Sequence, residues 1–195
     1  MKSLLIDTSR KPAFITLAED GVCSAPLVFE ETKGLSALLF PALQNLLESG
    51  EKISYIGVGI GPGSFVGTRT GVTIAKTLSF AWDLPLFSFL SPLAFLPRKE
   101  QESFAYIGDA KMGKLFLLQA EKNIPYAELS PPEIVTLEEL PSLLSNKDLI
   151  ISEKPLELDE QPPALSLDQV AAHLDEEFLK GHSTTTDQLK MAYVT

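Results

Sequence analysis

The chain has 195 residues, 45% of them hydrophobic and 22% charged, and a formal net charge of −10. That is ordinary material for one or two compact domains with a real core. The acidic balance excludes tight nucleic-acid binding by this chain alone: such binding draws on Lys and Arg neutralising phosphates, and the 16 here are scattered.

The segment Leu4-Leu-Ile-Asp7 reads as a strand, and Asp7 cuts it too short for a secretory signal. A polar turn, Thr8-Ser-Arg-Lys-Pro12, leads into a second strand, Phe14 to Glu19. Laid without gaps at an offset of 102, Leu4-Leu-Ile-Asp7 meets Tyr106-Ile-Gly-Asp109, and Phe14 to Glu19 meets Phe116 to Glu121. Asp7, Phe14, Ala18 and Glu19 recur as identities. Each copy reads as a hairpin with an aspartate closing its first strand. The single cysteine, Cys23, leaves no intrachain disulfide and no cysteine-based zinc cluster, and reads as a strand or core residue.

Residues 35 to 47 carry Leu or Ala at 35, 38, 39, 42, 43, 46 and 47, a helical stripe with Pro41 as a kink and Gly50 as a stop. Next, Ile53 to Ile60 reads as a buried strand entering a glycine-dense turn. Six of the 12 glycines lie between 57 and 71. A Walker A loop is absent, because the nearest Lys-Thr pair, Lys76-Thr77, lies well inside the following helix. The dinucleotide fingerprint also fails, since glycine stands at 67 rather than 66. Ser64 lacks the Gly-x-Ser-x-Gly frame of a nucleophile elbow and reads as a helix cap. In the helix, Gly67, Gly71, Ala75 and Ser79 recur every four residues, a ridge that lets another element approach closely. We read that ridge as facing a partner, with Phe65, Val72, Ile74, Leu78 and Trp82 turned to the chain's own sheet. The alternative is that the ridge packs inside the fold. On the partner reading, Gly71→Leu abolishes association and leaves the chain folded.

Asp83, Pro85 and Pro92 break the longest apolar run below bilayer-spanning length, so no membrane segment is expected. Further on, Thr136-Leu-Glu-Glu139 and Ser166-Leu-Asp-Gln169 are capping-box patterns opening helices. In the second, Leu167, Val170, Ala171, Leu174 and Phe178 form the buried stripe and Gly181 the stop. Leu149 to Ile151 reads as a short strand, and Glu153 to Pro163 as a connector. His173 reads as solvated and His182 as following a helix stop. Neither belongs to a His-Glu-x-x-His zinc arrangement, and the chain shows no convincing nucleophile–base pair.

Gly61-Pro-Gly-Ser-Phe-Val-Gly-Thr-Arg-Thr-Gly71, with Ala75-Lys-x-Leu-x-Phe-Ala81 and Pro85, resembles the signature of the bacterial TsaB (YeaZ) family. Val66, Thr68 and Thr70 depart from that family's usual wording. Leu4-Leu-Ile-Asp-Thr-Ser9 and Ile107-Gly-Asp-Ala-Lys-Met-Gly113 agree with two further family blocks, and the tail Leu189-Lys-Met-Ala-Tyr-Val194 more weakly. The family's usual His-Ser-Glu is replaced by Leu35-Ser36-Ala37, which argues against a residual metal site. The second half is shorter than in typical members.

The resemblance implies an α/β chain of two tandem actin-like (RNase H-like) lobes with mixed sheets and flanking helices, residues 1–100 and a reduced lobe 101–195, divided near Pro97 to Ser103. It implies a noncatalytic partner in threonylcarbamoylation of the tRNA adenosine beside the anticodon. That partner pairs with a TsaD-like catalytic paralogue, a TsaE-like ATPase completes the assembly, and ATP and magnesium are used by those subunits. tRNA is met only through the complex, the address is cytoplasmic, and the chain alone forms a homodimer. The expected interface is Gly67, Gly71, Ala75, Ser79, Leu35 and Leu39. Asp7, Asp109 and Gly113 are candidate vestigial phosphate turns, or turn residues capping backbone amides. The rival functions are an ATP-dependent small-molecule kinase of the same fold and a homodimeric scaffold unrelated to tRNA.

Overall fold

In the computed structural model, residues 1–30, 34–47, 50, 52–96, 103–121, 128–129, 131–144, 149–152, 160–161, 164–183, 189 and 191 are described. The first half contains β1 (Lys2–Asp7), β2 (Ala13–Glu19), β3 (Val22–Cys23), β4 (Leu27–Phe29), α1 (Leu35–Leu47), β5 (Tyr55–Gly59), α2 (Phe65–Trp82) and β6 (Leu86–Phe89). A 3-10 turn, Ser91–Ala94, and β7 (Phe95–Leu96) follow. The second half contains β8 (Ser103–Lys111), β9 (Lys114–Glu121), β10 (Glu128–Leu129), β11 (Glu133–Thr136), α3 (Leu140–Leu143), β12 (Leu149–Ser152), β13 (Glu160–Gln161), β14 (Ala164–Leu165) and α4 (Asp168–Leu179).

The two halves repeat one topology. The first sheet runs β3-β2-β1-β5-β6 with β4 also on β2; the second runs β10-β9-β8-β12-β13 with β11 also on β9. In each, an antiparallel hairpin is followed by a parallel strand, which makes the sheet mixed. The repeat seen in the sequence is therefore real, but its pairing differs by one residue. Leu4 faces Leu17, whereas Tyr106 faces Leu118 rather than the equivalent Gln119. The ladder shifts between Asp109 and Lys111, so the second turn is built around a bulge. The expected division near Pro97 to Ser103 lies outside the described residues except for Ser103, as does most of the Glu153–Pro163 connector.

One hydrophobic cluster spans both halves. It joins Leu5, Phe14, Tyr55, Phe87 and Phe89 to Phe104, Tyr106, Phe116, Val170 and Leu174. Within it, the Tyr55 hydroxyl donates to Asp175 Oδ1 at 2.7 Å, tying β5 to α4. Tyr55 also stacks on Phe178 at 5.3 Å. Burial pushes the phenol pKa up, and the neighbouring carboxylate adds to the shift. A second cluster, with Leu4, Ile6, Ile56 and Val58 from the sheet, takes Leu35, Leu39 and Leu43 from α1 and Val72, Ile74 and Ala75 from α2. Leu189 of the tail joins it. α1 is continuous through Pro41. Gly50 at φ 69° returns its N–H to Leu47 O, the stop expected of it.

Ser64 caps α2 as expected, its Oγ accepting the Gly67 N–H at 3.2 Å. The helix ends at Asp83, which adopts the left-handed conformation at φ 51°. The capping boxes of the second half fare differently. Glu139 does reach back to the Thr136 N–H at 2.7 Å, but the helix beyond is only Leu140–Leu143. Gln169 instead donates to Leu93 O at 3.1 Å, joining α4 to the 3-10 turn. The α4 stripe of Val170, Ala171 and Leu174 is buried, and Gly181 at φ 74° follows its end.

α2 is seated on the end of β1 by its small residues. A Cβ at Gly67 would lie 2.1 Å from Thr8 O, and one at Gly71 2.6 Å from Thr8 Oγ1. The Thr8 hydroxyl in turn donates to Gly67 O at 2.6 Å. Gly67→Ala should therefore destabilise the chain by about 3 kcal/mol or more, because the obstruction is backbone and cannot swing aside. Gly113→Ala, at φ 77° with nothing within 4 Å, should cost only about 1 kcal/mol of backbone strain. Urea unfolding of the two variants checks the difference.

Candidate functional site

Two regions concentrate the chemistry: the turns at the ends of β1 and β5, and the outer face of α1 and α2. At the first, Asp7 is 1% exposed. Its Oδ1 accepts the Ser9 N–H at 2.8 Å, the turn-capping geometry that Asp adopts readily. Oδ2 has no hydrogen-bond partner among the described residues. Ser9 Oγ donates to Ser91 Oγ at 2.7 Å, and Ser91 Oγ also accepts the Gly61 N–H at 2.9 Å. Ser64 N–H donates to Ser9 O at 2.6 Å. Gly63 is required here, since a Cβ would sit 2.3 Å from Ser9 O. The amides of Ser9, Ile60, Gly61 and Ser64 are thus spent on the chain itself.

Arg10, which sequence reasoning left unassigned, completes the turn. It is 2% exposed and donates from Nη1 to Pro62 O at 3.2 Å. Its guanidinium lies 4.1 Å from the Tyr106 ring centroid and 5.2 Å from that of Phe116, both on the second hairpin. Burial pushes the Asp7 carboxyl pKa up; the Ser9 amide, the Ser9 and Ser91 side chains and the Arg10 charge oppose it. Asp109 is half-buried at the bulge, and Gly113 is exposed at the hairpin tip.

The outer face of α1 and α2 is the other region. Leu38, Phe40, Phe65, Val66 and Phe80 are between 52% and 88% exposed, and Trp82 is 42% exposed. Ser36, Phe40, Phe65, Val66, Arg69, Thr70, Thr73, Ile74 and Thr77 line an open groove of about 490 Å³ between the helices. Its hydroxyls are less polar than they read. Thr70 Oγ1 donates to Val66 O at 2.9 Å and Thr77 Oγ1 to Thr73 O at 2.8 Å, so both are satisfied within α2. Arg69 lies with its guanidinium 3.9 Å from the Phe65 ring centroid, holding one cation over an apolar floor.

The expected interface residues are on the opposite side. Leu35 and Leu39 are 3% and 0% exposed, Ala75 and Ser79 are 0% and 7%, and Gly67 and Gly71 are buried against Thr8. They are corrected here to internal packing residues. Four-residue spacing of small side chains serves any close neighbour: Gly67 and Gly71 meet the chain's own Thr8, Ala75 packs into the sheet cluster, and Ser79 Oγ donates to Leu84 O. Gly71→Leu would accordingly strike Thr8 and disturb the fold, not only an association. Phe65 and Trp82, assigned to the sheet side, are instead outward, while Val72 and Ile74 do face inward. Phe40, Val66, Arg69, Thr73 and Phe80 were missed. The available signal was an apolar α1–α2 surplus beyond what one sheet face can cover.

Among the described residues, no group of three or more His, Cys, Asp or Glu could hold a metal, and no helix is long and apolar enough to cross a membrane. Cys23 lies on β3, half-buried, with its thiol pKa pushed up to about 12 by burial and by Asp168. His173 is half-buried on α4, not fully solvated, and burial lowers its pKa. His182 is exposed and 2.9 Å from Glu177.

Comparison with known proteins gives the chain's family and fold. The family model described as "TsaD: tRNA N6-adenosine threonylcarbamoyltransferase" matches residues 32–128. The tRNA threonylcarbamoyladenosine biosynthesis protein TsaB of Bacillus subtilis (strain 168) is 33% identical over 155 residues, 76% of this chain and 68% of that protein. The chain belongs to the TsaB family. The Escherichia coli (strain K12) TsaB is 27% identical over 63% of this chain, and the match spans only 56% of that protein. Two Pseudomonas aeruginosa structures share the fold. An uncharacterized protein with similarity to peptidase YeaZ has a TM-score of 0.80 at 18% identity, covering 100% of this chain and 99% of that one. YeaZ itself has a TM-score of 0.75 at 19% identity, covering 96% and 98%. Membership in the TsaB family places the chain in tRNA threonylcarbamoyladenosine biosynthesis, and the two-lobed α/β fold read from the sequence is the one observed.

Asp7 gives this region a pH signature. Because its folded pKa is raised, the folded state holds the proton more tightly than the unfolded one. Stability should fall as pH rises from the unfolded value near 3.8 toward the folded pKa, by at most about 1.4 kcal/mol per unit. Relative to Asp7→Asn, the wild-type chain should lose stability across that window. Equal pH dependence in urea unfolding of the two would contradict the assignment.

Proposed function

We propose that the chain is a noncatalytic partner subunit of the complex that adds a threonylcarbamoyl group to the tRNA adenosine beside the anticodon. Its outer α1–α2 face docks a TsaD-like catalytic paralogue. The observation that carries this reading is the exposure of Phe40, Phe65, Val66 and Phe80 beside an open groove on two adjacent helices. Clustered exposed aromatic and aliphatic side chains beside a groove favour a docking site. Four-residue rows of side chains on α2, Phe65–Arg69–Thr73–Thr77, offer ridges and grooves for partner helices.

A TsaE-like ATPase completes the assembly in this proposal, and ATP and magnesium are used by the partner subunits. tRNA is met through the complex, because the net charge of −10 opposes phosphate contacts by this subunit. In the absence of the paralogue, two copies cover the same face as a homodimer, and the address is cytoplasmic. Support for a noncatalytic role comes from the β1 and β5 turns, where the Ser9, Gly61 and Ser64 amides and Asp7 Oδ1 are engaged internally. The kinase alternative would need those same groups for phosphate.

Thr73→Glu places a charge on the groove wall at an exposed helical site, where the fold tolerates it. It should weaken binding of the TsaD-like protein from the same cell by about 30-fold or more, with an unchanged melting temperature. Met112→Glu, at the 99% exposed second hairpin tip, should leave binding within about two-fold of wild type. Calorimetric titration of the three chains reads both. Equal binding by wild type and Thr73→Glu would remove the face from the account.

A further inference from the structure

The space between the two hairpin turns is enclosed by groups that favour positive charge. Phe95, Tyr106 and Phe116, each at most 2% exposed, present rings to the Arg10 guanidinium at 5.9, 4.1 and 5.2 Å. Tyr106 and Phe116 lie parallel, 4° apart in plane, and Gly108 leaves the room that the Phe116 ring occupies. The Pro62 carbonyl accepts the guanidinium's Nη1 proton at 3.2 Å, and the buried Asp7, three residues back along the chain, feels the Arg10 charge. Aromatic faces carry negative quadrupoles, and a carboxylate and a carbonyl are acceptors only. Three rings and one carbonyl, with a carboxyl group nearby, make the chemistry of an aromatic cation cage. A phosphate site needs the reverse, amide and cationic donors.

We propose that this enclosure is a cation-binding site filled in cis by Arg10, so that the cleft between the halves accepts a planar cation of the guanidinium class and not a nucleotide. Arg10 then acts as a latch. It rises from the first hairpin turn, closes on rings of the second hairpin and of β7, and holds the two sheets in one relative position. Removing its side chain vacates a preformed cage, leaving the Asp7 carboxylate buried without its cationic neighbour, and a free guanidinium compound of the right size can re-enter. The cage stands whether or not the α1–α2 face docks the paralogue, since the latch residues and the groove residues are different.

The test is thermal unfolding of Arg10→Ala with millimolar methylguanidinium, alongside equal sodium chloride, urea and magnesium-ATP. Arg10→Ala should melt roughly 5 °C or more below wild type. Methylguanidinium should recover about half of that loss saturably, without moving the wild-type chain, and the other three additives should not. A folded Arg10→Ala that ignores methylguanidinium, or that binds magnesium-ATP, would overturn the proposal. If Arg10→Ala does not fold, the wild-type chain decides by NMR of its arginine side chains. One Nε–H should be protected from exchange and shifted upfield by ring current, and Tyr106→Leu should abolish the shift. No such resonance in the wild-type spectrum would refute the cage.

Discussion

Thr8 and helix α2 meet at backbone contact, and the arrangement of the molecule follows from that approach. With no side chain at Gly67 or Gly71, the helix comes down until the Thr8 hydroxyl donates to Gly67 O at 2.6 Å. The approach fixes the helix rotation. Val72, Ile74 and Ala75 are then turned to the sheet, and Phe65, Val66, Arg69 and Phe80 outward. It also fixes the glycine turn against the first hairpin, where Ser64 N–H reaches Ser9 O and Arg10 reaches Pro62 O. Larger side chains at 67 or 71 would lift the helix, and the outer groove and the closed turn would be lost together.

The closed turn has an energetic logic. Burying Asp7 and Arg10 costs several kcal/mol per ion in principle, and burial accordingly pushes the Asp7 carboxyl pKa up. Their mutual charge, the Ser9 amide and two stacked rings offset much of that cost. A displaced second hairpin would strip the Tyr106 and Phe116 rings from the buried Arg10 guanidinium, so the arrangement favours one position of that hairpin. Together with the Tyr55–Asp175 bond on the other side of the shared core, it ties the halves at two separate places.

Much of the fold was legible from local patterns. The tandem hairpins showed as matching strands around Asp7 and Asp109, and Ser64 was readable as a cap because a glycine-rich turn preceded an apolar helix. The direction of the α2 ridge was not legible. Gly67, Gly71, Ala75 and Ser79 license close approach by any neighbour, and the one that occupies the space, Thr8, is 59 residues away from Gly67. Phe65 and Trp82 misled for a related reason: large apolar residues normally turn inward, and only an unusual surface leaves them out. Arg10 carried no local signal, since its partners Tyr106 and Phe116 come from the other half of the chain.

The docking of a TsaD-like protein proposed for the α1–α2 outer face protects that face in the complex. Hydrogen–deuterium exchange of the chain, alone and saturated with the TsaD-like protein, tests it most directly. Alone, α2 should exchange slowly on its Thr8 side and faster near its exposed ends. In the complex, protection should appear in 36–41 and 65–80 and leave the Met112–Lys114 tip unchanged. Protection confined to the second hairpin, with both helices unaltered, would contradict the account.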